Sequence, residues 1–177
     1  MSAEMGGVGH IVVRPLAFGL CLLPTIAPAS ADTDPLTIFS ENCLNPFLTA
    51  DAARADVAGS DARLDFYDLA PLAHVPRTLP VGTATPGTDR RCEIAFDGDH
   101  GEAAADEAIA ALEAEGILVE APLPATHADA MLPGTTLLAA RSLNPARVAV
   151  VHTGTRPGPN GLETFLSVER LTPEASR

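Results

Sequence analysis

The sequence predicts an α+β fold made of an N-terminal helix, an antiparallel sheet, and one alanine-rich helix packed on that sheet. Residues 101–115 are rich in alanine and are followed by Gly116, which is typical of a helix and its C-terminal cap. Several other segments alternate apolar and polar residues, which indicates strands. Short turns join the last three of these strands, so we expect a C-terminal three-strand meander.

The helix predictions rest on capping residues. Asp34 followed by Pro35 is typical of an N-cap with proline at the first helical position, and it predicts a helix that runs through Cys43. Asn45 and Pro46 repeat this signature, so a second or a continuing, kinked helix is expected to end near Val57. Residues 101–115 form the clearest helix in the chain.

The strand predictions follow from alternation and from turn residues. The expected strands are Arg63–Leu69, Arg91–Phe96, a short Ile117–Val119, Thr135–Arg141, Arg147–Thr153 and Leu162–Leu171. Asn144-Pro145 and Gly154–Gly161 are expected to form the turns of the C-terminal meander. Residues 70–89 contain four prolines and are predicted to be a surface loop, because proline cannot donate a hydrogen bond to a sheet.

The N-terminal segment predicts export. Leu16–Leu23 is a short apolar block, preceded by Arg14 and followed by the small residues Ala29-Ser30-Ala31. This order is typical of a secretory signal peptide, and the block is too short to span a bilayer. We therefore expect residues 1–31 to be a signal peptide and 32–177 a single domain that is periplasmic or secreted. A buried N-terminal helix is the alternative, and translation starting at Met5 instead of Met1 stays open.

Two cysteines remain in the expected domain, Cys43 and Cys92. A pair of cysteines in an oxidising compartment predicts a disulfide bond, which here would connect the first helix to the strand Arg91–Phe96. A free catalytic cysteine acting with His100 is the alternative. The spacing excludes a CxxC redox site and a zinc knuckle.

Composition excludes several functions. The chain has a net charge of −12, no lysine and no tryptophan. The acidic excess disfavours nucleic acid and anionic membrane surfaces as partners, and the lack of lysine excludes Schiff-base chemistry and a phosphate-loop lysine. No nucleotide-binding, zinc-protease, calcium-loop or serine-hydrolase motif is present, so we predict no cofactor.

One polar cluster suggests chemistry. Asp97, Asp99 and His100 lie between the strand Arg91–Phe96 and the alanine-rich helix, and these residue types can hold a metal or perform acid–base catalysis. The alternative is a simple strand-to-helix connection in which Asp97 or Asp99 caps the helix. The other histidines of the expected domain lack ligand spacing and are expected at surfaces or turns; they are His74, His127 and His152.

A second candidate site is a group of arginines in the predicted meander. If the turns are centred as expected, Arg141 faces Arg147 and Arg170 lies beside Arg147 on one side of the sheet. Three guanidinium groups at one end would bind a carboxylate or a phosphate. The alternative is ordinary surface ion pairing, and a one-residue slip would move any of them to the other face.

Phe39-x-x-x-Cys43, a proline-rich loop and the segment RCEIAF with the second cysteine resemble small secreted, periplasmic, disulfide-bonded proteins of Gram-negative bacteria whose function is unknown. The resemblance covers most of residues 36–171. It implies an exported, disulfide-bonded α+β domain and supplies no activity and no functional residue.

Two functions are therefore considered. The first is a non-enzymatic binding module that recognises a periplasmic protein or a small ligand through its sheet face or the loop 70–89, since binding residues are often carried by loops on rigid scaffolds. The alternative is a small hydrolase or metal-dependent enzyme that uses Asp97, Asp99 and His100, which requires these side chains to converge in a pocket.

Overall fold

The computed structural model describes residues 33–69 and 85–177, which form a six-stranded antiparallel sheet with most of the helices on one face and one short helix on the other. This confirms the α+β class predicted from the sequence. The expected signal peptide, residues 1–31, lies outside the described residues, as do residues 70–84 of the expected proline-rich loop.

The sheet order is β1-β2-β6-β5-β4-β3, and every neighbouring pair is antiparallel. The strands are β1 Arg63–Asp68, β2 Thr88–Asp97, β3 Glu120–Ala121, β4 Thr135–Asn144, β5 Arg147–Gly158 and β6 Gly161–Leu171. The helices are α1 Pro35–Ile38, which continues into a π-helical turn Phe39–Cys43, then α2 Ala50–Val57, α3 Gly101–Ala114 and α4 Ala125–Ala128.

The first two helices each begin at a residue whose side chain caps the helix, but the second cap is not the predicted one. Asp34 caps α1 by accepting a hydrogen bond from the backbone N–H of Leu36 (3.3 Å). The prediction that Asn45-Pro46 opens the next helix is wrong. The side chain of Asn45 instead accepts from the N–H of Phe47 (2.9 Å) and forms a turn, and α2 begins later with Thr49 as its N-cap.

Three strands are clearly longer than the sequence predicts. Strand β2 begins at Thr88, within the expected loop, β4 continues to Asn144, and β5 continues through Pro157 to Gly158. The hairpin between β5 and β6 is therefore tighter than the expected turn Gly154–Gly161, and Gly161 adopts a positive φ of 127°. Proline is tolerated at position 157 because the pairing of β4 with β5 ends at Gly154, and beyond it no strand of the described residues pairs with that side of β5.

The core lies between the helices and one face of the sheet, which we call the helix-covered face. Ile94, Val151 and Leu166 from the strands are fully buried there against Phe39 and Leu112, among other apolar residues. Cys43 and Cys92 also lie in this core, within disulfide-bond distance and with Cα atoms 5.3 Å apart, as the sequence predicts. The bond joins the π-helical turn to the central part of the sheet.

The opposite side of the sheet, which we call the second face, carries the side chains at the alternate positions of each strand. Asp65, Glu93, Ser167 and His152 occupy directly opposed positions on β1, β2, β6 and β5, and so form one polar row across four strands. Helix α4 contributes His127 to this face, where its ring lies 3.3 Å from Glu169.

Candidate functional site

Two of the three arginines in the predicted anion site come together in the structure. Arg147 and Arg170 both bind Asp89 at the start of β2, and the Arg170 Nε–Asp89 Oδ1 distance is 2.7 Å. Arg141 takes no part in this cluster. It lies opposite Ala149 rather than Arg147, and its guanidinium group is 3.7 Å from the carboxylate of Glu120.

A third arginine, which the sequence did not indicate, completes the cluster. Arg90 is 5% exposed, binds Asp68 at 3.0 Å, and donates to the backbone carbonyl groups of Asn45 (2.5 Å) and Pro46 (2.9 Å). Burial lowers the pKa of its guanidinium group, although Asp68 opposes the change. Arginine titrates so far above neutral pH that the group stays positively charged.

The three arginines line one side of a cleft at the end of the helix-covered face, which we call the arginine groove. Its volume is about 350 Å³. The rest of the lining is mostly apolar, with two polar members: Cys43, Leu44, Pro46, Ile117, Leu143, Ala149 and Val168, together with Asn144 and Glu115. A cleft of this size lies within the range of small-molecule sites, which combine apolar walls with a few polar groups.

Large exposed apolar side chains adjoin the groove along the chain. Phe47 is 74% exposed and follows the lining residue Pro46. Leu118 and Val119 are 62% and 64% exposed and follow the lining residue Ile117.

The charges in the groove are not fully balanced by the aspartates beside them. Three guanidinium groups, from Arg90, Arg147 and Arg170, share the two carboxylates of Asp68 and Asp89. The side chains of Arg147 and Arg170 are 28% and 22% exposed, so neither is fully buried. The lining carboxylate of Glu115 is exposed and therefore well screened by water. The groove thus offers donors to an anionic group next to apolar walls.

Asp97, Asp99 and His100 lie in the connection between β2 and α3, as one of the two sequence interpretations expects. Asp97 accepts from Asn160 (2.9 Å) and binds Arg63 (2.8 Å); these two bonds lower the pKa of its carboxyl group. Asp97 and His100 line the same surface hollow, but Asp99 is exposed and is not part of its lining.

Helix capping by an aspartate, the alternative interpretation of this cluster, is wrong. The N-cap of α3 is His100, whose side chain makes no capping hydrogen bond; its ring stacks on Phe96 with centroids 5.6 Å apart. The backbone N–H of His100 donates instead to Thr164 Oγ1 (2.9 Å) on β6. Among residues 33–69 and 85–177, no group of three or more His, Cys, Asp or Glu side chains is arranged to hold a metal ion.

The second face carries a chain of alternating charges that sequence reasoning missed. Arg63 binds Glu163 (2.7 Å), Glu163 binds Arg156 (2.7 Å), Arg156 binds Glu93 (2.6 Å), and Glu93 binds Arg91 (2.5 Å). Arg91 lies 3.9 Å from Glu169, which is 3.3 Å from His127. The sequence signal was the polar residues at alternate positions of β2 and β6, but their pairing depends on the order of the strands.

The expectation that His127 and His152 lie at surfaces or turns is wrong, and His74 lies outside the described residues. His127 is 8% exposed in α4, and His152 is in the middle of β5, where its Nε2 is 2.7 Å from Thr135 Oγ1. Burial lowers the pKa of His152. Burial would raise the pKa of Glu169, but hydrogen bonds from His127 and Thr88 lower it below its usual value.

Within the described ranges, no helix is both long and apolar enough to cross a membrane. Comparison with known proteins finds no match for this chain among protein-family models, curated proteins or solved structures.

Proposed function

We propose that the chain is exported by the signal peptide 1–31 and that residues 32–177 act as a non-enzymatic binding module in the periplasm or outside the cell. The Cys43–Cys92 pair supports this location, because disulfide bonds persist in oxidising compartments. The ligand of the module is a small amphipathic molecule with an apolar body and a carboxylate end, and it binds in the arginine groove.

The observation that carries this proposal is the composition of the groove. Apolar side chains such as Ile117 and Leu143 line it together with three guanidinium groups that share the carboxylates of Asp68 and Asp89. Apolar walls gain free energy by removing a hydrocarbon group from water, at about 25 cal/mol per Å². Partly exposed arginines at one end bind a carboxylate in a fixed direction. The apolar walls and the arginines together favour a molecule that has both a hydrocarbon body and a carboxylate group.

An enzymatic function at Asp97, Asp99 and His100 has less support. The carboxylate of Asp97 is already bound by Arg63 and Asn160, and Asp99 is not part of the lining of the hollow that the other two residues share. A hydrolytic or metal site would require the three side chains to converge.

Calorimetric titration of the oxidised protein with octanoate tests the proposal. We expect saturable binding of octanoate and much weaker binding of octylammonium, which has the same hydrocarbon chain and the opposite charge. Arg147→Gln removes a donor from the groove but leaves Arg170 on Asp89. A lost charge-assisted hydrogen bond costs about 1.5–3 kcal/mol, so this variant is expected to bind octanoate roughly 10- to 100-fold more weakly.

Arg141→Gln is the matched control. Arg141 lies on the same sheet face as Arg147 but outside the groove lining, so this variant removes one positive charge from the same region without touching the site. We expect it to bind octanoate like the wild type. Equal binding of octanoate and octylammonium, or equal losses in both variants, would contradict the proposal.

A further inference from the structure

A second pocket lies on the other side of the sheet from the arginine groove. It is formed between the second face and the segment around α4, and its volume is about 210 Å³. Its polar lining includes Arg91, Glu93, His127, His152, Arg156 and Glu169. We call it the second-face pocket. Because drug-sized ligands occupy pockets of about 300–1,000 Å³, this one suits a smaller molecule.

The pocket presents charges of both signs at close range. Two arginines, Arg91 and Arg156, and two glutamates, Glu93 and Glu169, line it, so its formal charge from these groups is balanced. Glu93 lies between the two arginines, and both glutamates are largely buried, with side chains 7% and 12% exposed. A ligand with a single charge would meet like charges as well as opposite ones here, whereas a molecule with one charge of each sign can satisfy both.

One donor in the pocket lacks an acceptor. Arg91 Nε is buried and forms no hydrogen bond within the part of the chain that the structure describes; the carboxylates of Asp65 (3.6 Å) and Glu169 (3.9 Å) lie beyond hydrogen-bond distance. Buried polar groups in proteins are nearly always hydrogen-bonded, and an exception calls for an explanation. Arg91 therefore keeps one donor that the neighbouring carboxylates of the described residues do not satisfy.

The charges are also costly for folding. Removing ionised side chains from water carries a desolvation penalty that their mutual attraction often does not exceed, so an apolar cluster would stabilise this face at least as well. Groups of buried, interacting ionisable side chains in a pocket are frequent at functional sites. The network on the second face therefore requires a reason beyond stability.

We propose that the second-face pocket binds a small zwitterion of the α-amino acid type. Its carboxylate accepts hydrogen bonds from Arg91 and Arg156, and its ammonium group donates to Glu93 and Glu169. The ligand differs in chemistry and in location from that of the arginine groove, so the two proposals stand or fall separately.

Titration of the full oxidised protein with glycine tests this proposal, with acetate and methylammonium as probes that each carry one of the two charges. We expect saturable binding of glycine and at least tenfold weaker binding of each single-charge probe. Arg156→Gln should weaken glycine binding at least tenfold, since one charge-assisted bond is lost, and should leave octanoate binding unchanged.

Arg63→Gln is the matched control. Arg63 belongs to the same charge network through Glu163, but it is not part of the pocket lining. The Arg63→Gln variant is expected to bind glycine with the same affinity as the wild type. Melting curves of both variants identify any loss of folding, and Glu169→Gln provides a second, independent change in the pocket. Absence of saturable glycine binding, equal binding of acetate, or equal losses in Arg63→Gln and Arg156→Gln would overturn the proposal.

Discussion

Removing the bond between Cys43 and Cys92 should lower stability by a calculable amount. The two residues are 49 positions apart in the chain, and the chain-entropy model gives about 4 kcal/mol for closing a loop of that length. In domains of this size each kcal/mol corresponds to roughly 2–4 °C in Tm, so Cys43→Ala/Cys92→Ala should melt roughly 8–16 °C below the oxidised wild type. The substitutions also remove two buried sulfur atoms, which adds to the loss.

Circular dichroism melting without reductant measures this difference, and thiol titration of the unreduced protein counts free cysteines. Adding reductant to the wild type separates the bond from the packing of the sulfur atoms, because it breaks the bond and leaves both side chains in place. The double variant should not respond to reductant. Free thiols at Cys43 and Cys92 in the unreduced exported protein, or an unchanged Tm on reduction, would refute the reasoning.

Two further predictions concern a buried histidine and a close backbone contact. Burial lowers the pKa of His152, so its contribution to stability is present above about pH 6.5, its usual value in the unfolded chain, and is lost as pH falls towards the native pKa. His152→Gln should therefore flatten the dependence of Tm on pH below about 6.5, and an unchanged slope would contradict the burial of the imidazole. A Cβ atom on Gly154 would lie 2.3 Å from the carbonyl oxygen of Gly134, so Gly154→Ala should cost about 1–3 kcal/mol in urea unfolding. A loss below about 0.5 kcal/mol would show that this backbone contact is looser than the structure describes.

Local patterns in the sequence were sufficient to predict much of the fold. The alanine-rich segment is helix α3, and alternation placed Phe66, Cys92 and Ile94 on the buried side of their strands. These signals depend on residues that are neighbours in the chain. The ends of the helices and strands were harder to predict, because the residue types that cap helices also form turns. Asn45 satisfies a turn instead of starting a helix, and Pro157 is accepted in a strand that lacks a partner on one side.

The candidate sites were only partly predictable because they depend on strand order. Arg147 and Arg170 come close through the hairpins of β4, β5 and β6, which the sequence indicates. Arg90 and Asp89 join them only because β2 pairs with β6, a contact between residues about 80 positions apart in the chain. Arg141 was misplaced because the tight hairpin pairs Asn144 with Arg147 and the register then shifts between Asn144 and Ser142, which places Arg141 opposite Ala149.

The charge network on the second face was also only partly predictable, because it depends on the order of the strands. The sequence indicates that the sheet has a polar side, because charged residues are an even number of positions apart on two strands. These residues are Arg91 and Glu93 on β2 and Glu163 and Glu169 on β6. The pairing of Arg156 with Glu93 depends on β5 and β2 lying on either side of β6, and no local pattern predicts that order.

An NMR titration of the oxidised protein with octanoate tests the central claim most directly, because it locates the ligand as well as detecting it. The account predicts saturable shifts of backbone amide signals concentrated around the arginine groove, at Ile117, Leu143, Ala149 and Val168. It also predicts that Arg147→Gln weakens this response at least tenfold. Absence of saturation, or shifts concentrated on the second face instead of the groove, would contradict it.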